Sequence, residues 1–211
     1  MRTTMDLPKD LLEEARKICG AKTKTGTVIL SLQKLIESKK IEKLRSLRGK
    51  LDLNVDLKRL RKDRTAAHAG SLKSAGSALV SEILVDTSVW LEFFRVKDSP
   101  YGEMLDRLLE EGNVCTSNLI KAEIIPGART PRQFRELRDY FDALPLAAEP
   151  ASLWEDIMEV QFRLKRRGIN GISIPDLIIA VVAKANGKIV FTKDSDFQLI
   201  RRALPVELLE S

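Results

Sequence analysis

One histidine, His68, and two cysteines, Cys19 and Cys115, are all that 211 residues hold of those types. With a single imidazole, no histidine pair can divide acid and base roles, and the Ala/Gly-rich surroundings of His68 leave no room for a Ser–His triad. The cysteines lie far apart, with no second Cys or His at ligand spacing. Neither a zinc site nor a disulfide framework is therefore expected, and both read as small buried hydrophobes. Also lacking is any run of about 18 uncharged apolar residues, and the sequence opens on Arg2, Thr3 and Thr4 rather than a basic and then apolar leader. The expectation is a cytoplasmic protein with no membrane partner. Disorder of the whole is excluded by 44% hydrophobic residues beside 31% charged ones, which is ordinary globular composition.

The net charge of +6 hides an asymmetry. Residues 1–64 hold 18 Lys and Arg against 9 Asp and Glu, whereas residues 80–211 hold 17 against 21. A basic first third favours nucleic acid through phosphate contacts and counterion release; a solvated basic face is the plainer account of the same charge. Between the two parts, residues 65–79 are rich in Ala, Gly and Ser and nearly free of large apolar side chains, which predicts a flexible linker. It spans about 20 Å on average and about 45 Å when extended.

Before the linker, Thr3, Met5 and Leu7 alternate with Arg2, Thr4 and Asp6, a period of two that predicts a short strand. Pro8 at a first helical position, then Leu11, Leu12, Ala15 and Ile18, then Gly20, predict a helix with a start and a stop. Thr23 can cap a second helix carrying Val28, Ile29, Leu32, Leu35 and Ile36, although Gly26 stands where a capping-box Glu would help. A strand and two helices in fewer than 50 residues bury too little to be stable alone, so dimerisation through a paired strand is expected. Residues 1–7, the stretch Lys22-Thr23-Lys24-Thr25 and the tail Leu47 to Leu53 resemble VapB-type antitoxins over residues 1–64. The resemblance implies a ribbon-helix-helix DNA-binding domain over residues 1–48 and a toxin-neutralising tail over 49–64. It also implies a two-stranded ribbon in the major groove with Arg2, Thr4 and Asp6 facing base edges. Asp6 departs from the neutral polar residue usual there and can only accept. A strand that packs on the second domain is the other account of this segment.

Residues 80–211 change style. Ile83-Leu84-Val85, Val114-Cys115-Thr116 and Ile189-Val190-Phe191 read as short buried strands, with amphipathic helices near 103–111, 131–142, 152–167 and 176–186. Such alternation predicts an α/β fold, a parallel sheet with helices on both faces and ligands at the carboxyl ends of the strands. The acids gather at those ends. Asp86 follows the first strand, Glu123 interrupts an apolar helix stripe, Asp176 follows Pro175, and Asp194 and Asp196 follow the last strand. Singly, each has a plain explanation: a helix cap for Asp86, a snorkelling carboxylate for Glu123, dipole complementarity for Asp176, turn preference for Asp194 and Asp196. Together, clustered carboxylates repel one another and persist best around a divalent cation, and oxygen-only donors select Mg²⁺ or Mn²⁺.

Val85-Asp86-Thr87-Ser88, Glu123, Pro175-Asp176 and Thr192-Lys193-Asp194-Ser195-Asp196-Phe197 resemble, in order and spacing, the PIN-domain ribonucleases and the VapC toxins in particular. The resemblance covers residues 82–211 and implies a PIN-like domain over 80–211. Asp86, Glu123, Asp176 and Asp194 are then metal-binding and catalytic acids, Asp196 supports or replaces the last, and Thr87, Ser88 and Thr192 are polar neighbours. The implied activity is Mg²⁺- or Mn²⁺-dependent endoribonucleolytic hydrolysis of RNA phosphodiesters, held silent by the tail and coupled to autorepression at operator DNA. Either Arg59 or Arg61 of the tail would enter the acidic site, within one chain or exchanged between chains of a dimer or higher oligomer. A non-enzymatic transcriptional repressor, whose acidic domain dimerises or binds a structural metal, is the rival from another class. A phosphatase or DNA nuclease would use much the same chemistry.

Overall fold

The computed structural model describes residues 4–56 and 82–209. Arg2, Arg59, Arg61 and the expected linker 65–79 lie outside the described residues. Two helices open the fold, α1 (Lys9–Cys19) and α2 (Lys24–Arg45). Pro8 is the cap residue of α1 rather than its first helical position, with φ −56° and ψ 133°, because its extended backbone still leads in from the preceding segment. Gly20 closes α1 at φ 63°, a left-handed conformation that any β-carbon would strain. Thr23 caps α2 by accepting from the Gly26 amide at 3.0 Å. A β-carbon at Gly26 would lie 2.9 Å from the Thr23 hydroxyl, so glycine at that position lets the cap close.

Residues 4–7, expected as part of a strand, carry no strand, and Thr4 and Asp6 are exposed. A ribbon strand needs a second strand to hydrogen-bond to, and among the described residues none is offered to it. Cys19 is likewise not buried: it is half-exposed, with its sulfur 3.7 Å from the Ser31 hydroxyl, since α1 packs on α2 and, among the described residues, no further layer lies above it. Leu11, Ile18, Ile29, Leu32, Leu35 and Ile36 all remain exposed on the same pair of helices.

The second part is built on a four-stranded, wholly parallel sheet. Its strands are β1 (Ile83–Val85), β2 (Val114–Cys115), β3 (Ile189–Phe191) and β4 (Glu207–Leu208), in the order β2-β1-β3-β4. Ile83 stands in register with Val114 on one side and Ile189 on the other. Seven helices accompany it: α3 (Thr87–Arg95), α4 (Pro100–Glu110), α5 (Asn118–Ile124), α6 (Pro131–Phe141), α7 (Leu153–Arg166), α8 (Ile174–Ala185) and α9 (Asp196–Ile200). A 3-10 turn over Ile125–Gly127 follows α5. Strands β1, β2 and β3 are apolar because parallel strands are covered on both faces, and Leu84, Val85, Cys115 and Val190 are fully buried. Trp90, Phe93 and Phe94 of α3 close the core against Phe141 of α6, with Trp90 and Phe141 ring centroids 4.9 Å apart.

The two parts are in contact. The last turns of α2 lie on α4 and α6, where Leu44 is fully buried, Arg45 forks onto Asp106 at 2.8 and 3.2 Å, and Arg48 reaches Glu103. Residues 49–56 then run on without helix or strand, burying Leu51, Leu53 and Val55. The backbone amides of Gly49, Leu51 and Asn54 donate to the carbonyls of Phe93, Phe94 and Gly127.

Candidate active site

The carboxyl ends of β1 and β3 meet where the Asp86 amide donates to the Phe191 carbonyl at 2.8 Å. Asp86 is fully buried and caps α3. Its Oδ2 accepts from the Ser88 amide at 3.3 Å, the Ser88 hydroxyl at 2.5 Å and the Thr192 hydroxyl at 3.1 Å. The capping role is real, and it fixes the carboxylate at the sheet end rather than competing with a ligand role. Thr87, also fully buried, donates its hydroxyl to Glu123 Oε2 and so ties α5 to the first turn of α3.

On the other side of Thr192, the turn leaving β3 folds on itself. The Asp194 amide donates to Thr192 Oγ1 at 2.9 Å and the Asp196 amide to Asp194 Oδ1 at 3.0 Å. Asp176, fully buried in the first turn of α8, accepts from the Ser173 hydroxyl at 2.5 Å, while its amide donates back to Ser173 at 3.3 Å. Carboxylate oxygens of Asp176, Asp194 and Asp196 all lie within 4.8 Å of one another. Oxygens around one octahedral Mg²⁺ stand about 3 to 4 Å apart, so a small side-chain rotation brings this trio to a common cation. An oxygen-only donor set of this density fits Mg²⁺ or Mn²⁺.

The one lysine inside the motif leaves the cluster: Lys193 pairs with Glu92 and lies 5.7 Å from the centre of the Tyr101 ring. Thus Asp176, Asp194 and Asp196 come directly together, and hydroxyl bridges join Asp86 and Glu123 to the same sheet end. Ser173 was not singled out from sequence, although Ser173-Ile174-Pro175-Asp176 has capping-box spacing and could have been read as such. Arg95 was also missed. It donates to the Leu53 and Val55 carbonyls at 2.8 and 2.7 Å, and nothing in the sequence marks one arginine of α3 for that contact.

A parallel α/β sheet with clustered acids at its carboxyl end is the class of the PIN domains, and the PIN-domain family model matches residues 83–203. The chain belongs to that family. The model of the bacterial antitoxin of type II TA systems, VapB, matches residues 1–47, so antitoxin and PIN domain share one polypeptide as a VapB–VapC fusion. Ribonuclease VapC11 of Mycobacterium tuberculosis (strain ATCC 25618 / H37Rv) is 31% identical over 123 residues, covering 57% of this chain and 92% of that protein. Ribonuclease VapC6 of the same organism is 36% identical over 87 residues, 40% of this chain and 68% of that one. The crystal structure of VapBC2 from Rickettsia felis bound to a DNA fragment from their promoter aligns with a TM-score of 0.49 and 19% identity, covering 61% of this chain and 98% of that one. The protein is a toxin–antitoxin module with a ribonuclease domain. Among the described residues no helix is long and apolar enough to cross a membrane.

Proposed function

We propose that residues 80–211 hydrolyse RNA phosphodiesters endonucleolytically with Mg²⁺ or Mn²⁺, that the tail 49–64 silences them, and that residues 1–48 bind operator DNA for autorepression. The observation that carries the reading is the cluster of Asp176, Asp194 and Asp196 oxygens within 4.8 Å at the sheet end, with Asp86 bridged to it by Thr192. Asp86, Glu123, Asp176 and Asp194 hold the cation and Asp196 closes the cluster. Ser88 and Thr192 fix the rotamer of Asp86, Thr87 that of Glu123, and Ser173 that of Asp176. When bound, the cation supplies a water of lowered pKa and positive charge beside the leaving oxygen. The docked course of residues 49–56 supports the silencing role, with Arg61 favoured over Arg59 as the guanidinium that enters the acidic site, where desolvated pairing is strong. In a dimer, within one chain or by exchange of tails, Arg2, Thr4 and Asp6 of paired strands read the DNA.

The test is RNA cleavage by chain cut within 65–79 and diluted, in Mg²⁺, in Mn²⁺ and in EDTA. Asp86→Asn and Asp176→Asn are expected to lose about 100-fold or more of the activity. Their melting temperature in EDTA is expected to hold or rise, because a repelling charge is gone. Cleavage at the parent rate by either variant would remove the site assignment.

A further inference from the structure

Away from the acids, α6 and the loop before it carry an unusual surface for a domain whose acids outnumber its bases. Arg129, Phe134, Arg135 and Arg138 line one shallow cavity of about 560 Å³, and no carboxylate lines it with them. Arg135 and Arg138 are exposed and carry no ion pair among the described residues, and Phe134, which lines the same cavity, is 39% exposed. Arg132, three residues before Arg135 on the same helix, is paired with Glu136. Along the chain the cavity begins just after the acidic helix: Arg129 follows Glu123 through the end of α5, the 3-10 turn and the extended Ala128. Arg129 itself is engaged. Its Nε donates to the Asp52 carbonyl at 2.9 Å and its Nη2 to the Asp52 carboxylate, so the docked tail presents an anion where this surface begins.

We propose that Arg129, Arg135 and Arg138, with Phe134, form a platform for the backbone of single-stranded RNA beside the acidic site, and that Asp52 of the tail covers its first arginine. The inference rests on the ribonuclease reading above. Arginines on one concave face suit successive phosphates, and an exposed aromatic ring lining the same face suits a splayed base, the combination by which single strands are held without sequence preference. Acid in the docked tail then stands in for a phosphate, so docking hides the route to the site as well as the site.

The experiment uses the full chain and a fluorescein-labelled single-stranded RNA 20-mer in EDTA, with anisotropy measured from low to moderate salt and cleavage of the same RNA followed separately in Mg²⁺ after cutting within 65–79. Arg135→Glu with Arg138→Glu is expected to weaken binding at least 10-fold and to lower the salt slope by about 1.4, the value for two lost phosphate contacts on a single strand. Arg135→Lys with Arg138→Lys is expected to keep most of the affinity, and Asp52→Ala to raise it several-fold by freeing Arg129. An unchanged Kd and salt slope in the double Glu variant, with helix content retained, overturns the platform even if the cut parent cleaves RNA. Platform-dependent binding without any cleavage sustains the platform and removes the ribonuclease reading instead. No measurable binding by either the parent or Asp52→Ala overturns the platform as well.

Discussion

Cys115 shows how far burial can shift a single side chain. It sits in β2 with no exposed surface, and removal from water pushes its thiol up to about 12, helped by the negative charge of Glu82. The folded thiol is therefore neutral where an unfolded one, near pH 9, begins to ionise. Stability from this group is complete below about pH 9 and is lost as pH rises toward 12. Two outcomes are expected. Iodoacetamide at pH 8 leaves Cys115 unmodified in the native protein and modifies it in denaturant, as peptide mass mapping would show. Cys115→Ala flattens the fall in melting temperature between pH 9 and 11, and an unaltered alkaline slope would contradict the assignment. Nothing about this thiol except its apolar neighbours was needed to expect its burial. Cys19, with equally apolar neighbours on α1, is half-exposed because, among the described residues, that helix lacks a covering layer, and this is a property of the assembly rather than of the residues.

At the scale of elements, the tail and the groove that receives it are the most informative. Leu51, Leu53 and Val55 could be read from sequence as apolar residues in a segment too short to fold alone, and all three are buried. Gly127, which admits them, could not be read. A β-carbon there would lie 2.3 Å from a Val55 methyl, and one at Gly49 2.6 Å from the Lys97 backbone, so at both glycines a second chain segment comes too close for any side chain. Close approach between distant segments leaves no local signature. Likewise, β1, β2 and β3 announced themselves as apolar runs, whereas β4, two residues long and half polar, did not. Helix α4 begins at Pro100 behind the Ser99 cap, three residues ahead of where its apolar spacing starts, because caps rather than periodicity set the first turn. The acidic positions were legible because chemistry restricts residue type at them; their hydroxyl partners were legible only where capping spacing repeats, as at Ser173. Leu53→Ala should weaken docking by about 2 to 5 kcal/mol and raise RNA cleavage by the full chain. Gly127→Val should do the same by steric exclusion. Arg61→Glu should release activity with the segment 49–56 still docked, as its protection from limited proteolysis would show. If Leu53→Ala and Gly127→Val leave the full chain as silent as the parent, docking of 49–56 is not what restrains it.

Across the whole molecule the two parts are unequally finished. The PIN domain buries a continuous core that takes in Leu44, Leu51, Leu53 and Val55, while α1 and α2 leave Leu11, Ile18, Ile29, Leu32, Leu35 and Ile36 in water. An amphipathic helix pair of this kind gains stability when its apolar face is covered, and a second copy is the expected cover. The expected outcome is a dimer in sedimentation velocity that Leu32→Glu converts to monomer, with loss of operator binding but not of RNA cleavage by chain cut within 65–79. A parent that sediments as a monomer at micromolar concentration would show that some other layer covers this face.

The order of segments along the chain also fixes an order in time. Residues 49–56 leave the ribosome before β1 does, and the acidic cluster is not complete until Asp196 has followed β3 out. By then the docking segment is already free to meet α3 and the 3-10 turn as they fold. Because both lie on one chain, each full round of translation delivers the finished sheet end together with the strip that docks on α3 and the 3-10 turn. Only a later event, a cut between them or a displacement of the strip, can separate their fates.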